Sequence, residues 1–211
     1  MDVTSLETAL RRYGFDDEDP LLVWLNAAMH EVESRADWVF KQRTNIVNMG
    51  SGTNSIALPT DFGRPITVAD ITDESAAGGT RVPLEYWDPR KWDREIDNEQ
   101  TSGKPSIYTR VNDQLLVWAV PDADRVISLF YERSLEDLAN PTDEPDFPDA
   151  FHYTIVRGAA MLALQAESEE DRATVAQNEF EGMLGKLVET WSSAQIGETQ
   201  TVQDVMHYGD N

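Results

Sequence analysis

The chain has 211 residues, no cysteine, and 39 Asp and Glu against 17 Lys and Arg, a formal net charge of −22. That length buries a sizeable core, the absent thiols exclude disulfides and thiolate metal sites, and so few bases exclude avid nucleic-acid binding, which needs clustered Lys and Arg to displace counterions. No apolar run approaches the roughly 18 residues of a membrane span, and the first residues, MDVTSLETALRR, lack a basic region followed by an apolar core, so the expectation is a protein made and used in a cytoplasm, or carried out in something other than a secretory pathway, with no membrane partner.

A short helix is predicted over residues 3–13, with Thr4 or Ser5 as N-cap, Leu6 and Leu10 one turn apart, and Gly14 as its end. The acidic run Asp16 to Asp19 precedes Pro20, which suits a first helical position, and acids there complement the positive helix end. From Leu21 to about Thr44 the positions Leu22, Leu25, Met29, Val32, Ala36 and Val39 step by three and four, which predicts one long amphipathic helix. The acids at its start do not have the spacing of an EF-hand loop.

Gly50-Ser51-Gly52 closes this helical region. Strands are predicted at Ser55–Leu58, entering the turn Pro59-Thr60-Asp61-Phe62, at Ile66–Ile71, and at Val82–Tyr86. The polar stretch Trp87–Glu99 reads as either a short helix or a loop whose indoles pack on a sheet. Three strands then follow as a β-meander: Ser106–Val111, Gln114–Val120 and Arg125–Arg133. Asn112-Asp113 tolerates the positive φ of a two-residue hairpin turn, and Pro121 to Asp124 makes the next connection. The second strand is apolar on both sides through Leu115, Leu116, Val117 and Trp118, as expected of a central, covered strand. The count is about six strands, enough for a small sandwich or barrel inserted between helices.

Beyond a loop over 136–144, Pro145 to Asp149 opens another helix, on which Phe151, Ile155, Ala159 and Leu162 lie a turn apart, flanked by the small residues Gly158, Ala160 and Ala163. Ser168, with Glu169, Glu170 and Asp171, is expected to cap the last helix, whose stripe is Phe180, Leu184, Leu187 and Trp191. The final residues lose periodicity but keep Ile196, Val202, Val205, Met206 and Tyr208. Apolar groups on such a tail suggest an ordering partner, and these five are the candidate partner-binding residues. The fold class is therefore α+β: a bundle of long amphipathic helices (1–48 and 136–193) with an antiparallel β-module inserted at 49–135 and an extended tail at 194–211.

No catalytic constellation emerges. His30, His152 and His207 are far apart and none has a metal-ligand spacing; there is no P-loop, GxGxxG or GxSxG; and the abundance of Asp and Glu does not by itself single out a catalytic pair. No enzyme activity, metal or cofactor is expected.

Several segments together resemble the head-to-tail adaptor (connector or head-completion) proteins of tailed bacteriophages. They are Leu58-Pro59-Thr60-Asp61-Phe62 at the entry to the β-module, Gly103-Lys104-Pro105-Ser106-Ile107-Tyr108 opening the meander, LLVWAVP over 115–121, Tyr131 closing it, and Phe147-Pro148 with Phe151 and His152 opening the next helix. The resemblance spans about 20–195. It implies a structural virion protein of the neck: a ring of identical subunits, usually twelve, beneath the portal protein, extending the DNA channel and meeting the next neck or tail protein. It also implies assembly in the host cytoplasm, with DNA passing through without tight binding. A stopper or tail-completion protein of the same region is the alternative, and a carboxylate-dependent cell-wall glycan hydrolase a more distant one.

Overall fold

The computed structural model describes residues 1–16, 20–74, 80–96 and 101–193. The chain is mixed α+β and divides into two compact units, one made of 1–41 with the segment from 135 onward, the other of 42–134.

In the helical unit α1 spans Val3–Arg11, α2 Leu21–Ser34, α4 Asp149–Ala166 and α5 Glu170–Trp191. The N-cap of α1 is Asp2, not Thr4 or Ser5: its carboxylate accepts from the Ser5 amide at 2.9 Å, so the helix begins earlier and takes the residue whose charge best suits a helix N-terminus. The expected long helix from 21 to 44 stops at Ser34. The Trp38 indole turns back to donate to the Val32 carbonyl at 2.9 Å, the Arg35 amide closes on the same oxygen, and after a 3-10 turn over Val39–Lys41 the β-branched run Thr44, Ile46, Val47 goes into a strand. Ser168 also differs from expectation. It caps no N-terminus; with φ +62° it ends α4, its amide donating to the Gln165 carbonyl and the Glu169 amide to the Leu164 carbonyl, the paired bonds of a Schellman motif.

Helix α4 is the centre of this unit. Phe151, Ile155 and Ala159 are fully buried, and so are Val156, Ala160, Ala163 and Leu164 on its other sides, because α1, α2 and α5 all pack against it. A Cβ built on Gly158 would lie 2.9 Å from the Phe180 ring of α5 and 3.2 Å from the Ala28 methyl of α2. The small-residue face therefore serves contacts inside one subunit. Trp38, Phe40, Phe147 and Phe151 form an aromatic cluster with ring centroids 5.1–5.9 Å apart, and Trp191 meets Phe151 at 6.1 Å. The Asn26 side chain brackets the backbone of Leu138, accepting from its amide at 2.9 Å and donating to its carbonyl at 3.0 Å, which fixes the returning chain to α2.

The β-unit contains ten strands among the described residues, several only two residues long, where about six were expected. These are β1 Gln42–Met49, β2 Ser55–Ala57, β3 Phe62–Asp70, β4 Val82–Pro83, β5 Glu85–Tyr86, β6 Ser102–Gly103, β7 Ile107–Val111, β8 Gln114–Trp118, β9 Val120–Pro121 and β10 Arg125–Arg133. One sheet has the order β1-β10-β3-β4 and a second β2-β8-β7-β5, with β6 and β9 as a small pair. They share a core of Met49, Ile56, Val68, Leu115, Val117, Ile127, Leu129 and neighbours, a two-layer arrangement. The module is not purely antiparallel: β5 pairs parallel with β7, and β6 with β9.

The hairpin of β7 and β8 forms as expected, with Asn112 at φ +53°. The third meander strand does not join it. Pro121 has no N–H for a ladder, β9 pairs with β6, and the chain crosses to the other sheet, where β10 lies between β1 and β3. Between β5 and β6, residues Pro89–Glu95 form α3, capped by Asp88, with the Lys91 ammonium 3.8 Å over the Trp87 ring.

Candidate partner surfaces

The residues that carried the resemblance form compact structural joints. The Tyr131 hydroxyl donates to Asp61 Oδ1 at 2.8 Å, the Tyr131 and Phe62 rings lie 5.0 Å apart, and the Arg110 guanidinium sits 5.0 Å over Phe62 while donating to the Gly63 carbonyl at 2.7 Å. The Leu58–Phe62 turn is thus fastened to both sheets, by β10 and by β7. Burial, and then the Asp61 carboxylate, push the Tyr131 hydroxyl up to about 12, so it remains a hydrogen-bond donor through ordinary pH. Beside it Glu132 of β10, buried, takes a two-pronged contact from Arg64 at 2.7 and 3.0 Å.

His152 and His30 are occupied in packing and pairing, and His207 lies outside the described residues. His152 is 3% exposed; its Nε2 lies 3.2 Å from the Phe147 carbonyl and its Nδ1 2.9 Å from the Met1 amino group, and burial, then the Met1 charge, hold its pKa below the ordinary value. His30 is exposed and 2.9 Å from Asp137. Among the described residues no three His, Asp or Glu side chains gather as metal ligands.

Charge divides unevenly along the chain. The helical unit carries 25 Asp and Glu against 7 Lys and Arg, a net −18, whereas the β-unit carries 14 against 10, a net −4. The β-unit also bears Ile46, Ile66, Val82, Tyr86 and Val111 exposed, five of the eight large apolar side chains open to solvent among the described residues. The other three, Val23, Tyr153 and Val175, lie on α2, α4 and α5. The tail positions Ile196, Val202, Val205, Met206 and Tyr208 fall outside the described residues. Sequence periodicity missed Tyr153, because a tyrosine off the buried stripe reads as an ordinary polar position.

Among the described residues the surface is rich in acids, leaves apolar groups open, and gathers no metal-ligand cluster. A family model described as SU10 adaptor protein matches residues 1–203, almost the whole length. The chain belongs to the SU10 adaptor protein family. Comparison with curated proteins gives no match. Membership makes this SU10-family protein a phage adaptor, a structural virion component that interacts with other head and tail proteins. The matched span takes in both units, and of the tail positions it includes Ile196 and Val202. No described helix is long and apolar enough to cross a membrane.

Proposed function

We propose that this adaptor closes into a ring of identical subunits, twelve in number, beneath the portal, where it extends the DNA channel and receives the next neck or tail protein. The match of the adaptor family over residues 1–203 carries this. A heterologous contact repeated with a closing rotation yields such a ring, and the exposed apolar side chains of the β-unit are suited to that contact. The helical unit, net −18, is the one suited to the channel wall: carboxylates repel passing phosphates, and the repulsion acts within the 8–10 Å screening length, so DNA slides without adhering. The protein acts by assembly and turns over no substrate.

The tail residues Ile196, Val202, Val205, Met206 and Tyr208 anchor partners in this scheme, on the portal or on a neighbouring subunit. Capture of the purified protein by immobilised portal tests both statements. Full-length chain binds, and a chain lacking 196–211 folds with unchanged helical circular dichroism but binds more weakly. Portal that captures no full-length chain removes the ring beneath the portal, and equal capture of both forms removes the tail assignment.

A further inference from the structure

In a unit with only seven bases, four arginines collect at one place, the C-terminal end of α1 and the faces of α4 and α5 beside it. Arg11 donates to the Asp16 carbonyl and Arg172 to the Tyr13 carbonyl; Arg157 pairs with Glu179 at 2.6 Å and lies 5.0 Å over the Tyr13 ring. Arg12 is exposed and has no hydrogen-bond or acidic partner among the described residues. Between α1 and α4 run two adjoining hollows of about 290 and 270 Å³ that share Ala9, Arg12 and Tyr153, the second floored by Val156 and closed by Tyr13 and Arg157. Tyr153 stands at their junction, 59% exposed. The groove is thus apolar at its floor, aromatic at its centre and cationic along one side.

We propose that this α1–α4 groove receives the C-terminal segment, residues 194–211, of a second copy of the chain. The chemistry of the two is complementary. The segment carries Glu198, Asp204 and Asp210 with no Lys or Arg, and among those acids are Ile196, Val202, Val205, Met206 and Tyr208. The acids match Arg12 and Arg157, and the apolar side chains match Tyr153, Val156 and Ala9. The folded faces of α2 and α5 supply acids but only one large exposed apolar side chain each, Val23 and Val175, against five on the segment. Length is ample too: the described chain ends at Ser193, whose amide donates to the Asp37 carbonyl, and the 18 residues beyond it span roughly 60 Å when extended. Assigning the segment to a second copy rests on the ring reading above; the groove itself does not. Such a strap makes each subunit hold its neighbour, and ring closure then gains from many weak contacts at once.

A labelled peptide of residues 194–211 and a chain lacking those residues test the groove without portal or ring. The peptide is expected to bind, with an affinity that weakens as salt rises. Tyr153→Ala and Arg12→Glu, both at exposed positions, should each weaken it roughly tenfold or more. No binding, or binding unchanged by both substitutions, overturns the groove, as does preference for a duplex DNA oligonucleotide over the peptide. A second measurement fixes which copy supplies the segment. A groove-defective chain (Y153A with R12E, tail intact) mixed with a tail-deleted chain (groove intact) should associate in sedimentation, although neither does so alone. A mixture that stays monomeric while the peptide binds would place the segment on its own subunit and overturn the strap.

Discussion

Tyr131 shows how one side chain joins three parts of the β-unit: its ring rests on Phe62, its hydroxyl is held by Asp61, and its backbone is paired on both sides within β10. A phenol whose pKa is raised to about 12 in the folded state, against about 10 in an unfolded chain, stabilises fully below pH 10 and loses that contribution as pH rises from 10 to 12, because the unfolded chain releases its proton first. Spectrophotometric titration should therefore find late-ionising tyrosines among the six, with Tyr131 near 12 and Tyr108, raised by burial, also delayed. Tyr131→Phe should lower stability by about 1 kcal/mol at neutral pH in urea melts and abolish the titration near 12. Ser168 offers the opposite sign. A residue with a Cβ in the left-handed region is strained, so Ser168→Gly, which keeps the Schellman bonds, should raise the unfolding free energy by up to about 1 kcal/mol.

Among the elements, α4 determines the helical unit, and its tightest point is Gly158, where three helices meet. Gly158→Val adds methyls into the buried Phe180 ring and the Ala28 methyl and should cost about 1–3 kcal/mol in urea unfolding, whereas the same change at Gly182 of α5, where a Cβ meets nothing within 4 Å, should cost little. The buried stripes of these helices were legible in the sequence: Leu25, Met29, Val32, Phe151, Ile155, Phe180 and Leu184 are all core, as their three-and-four spacing demands. Where α2 stops was not legible, because Ala36 and Val39 continue the period while the long-range turn of Trp38 onto Val32 ends the helix. Hairpin chemistry at Asn112 was readable for a local reason. The crossing from β8 to β10 was not, since which sheet a strand joins depends on partners such as β1 and β3 that lie more than 50 residues away. The α1–α4 groove was equally hidden, because Arg12 and Tyr153 come together only through helix packing.

For the molecule as a whole, charge and assembly are linked. A helical unit at net −18 should show no retardation of duplex DNA in gel shift even at low salt, where any basic patch would act most strongly; a salt-sensitive complex would contradict the role assigned to that surface. In the proposed scheme the acid opposes close approach of copies, and the ring forms through contacts, the tail strap among them, that outweigh this repulsion. Electron microscopy of the chain mixed with its purified portal tests this most directly. The expected result is a single added ring of twelve subunits, coaxial with the portal and pierced by one channel; a portal that stays bare at saturating chain concentration would contradict it.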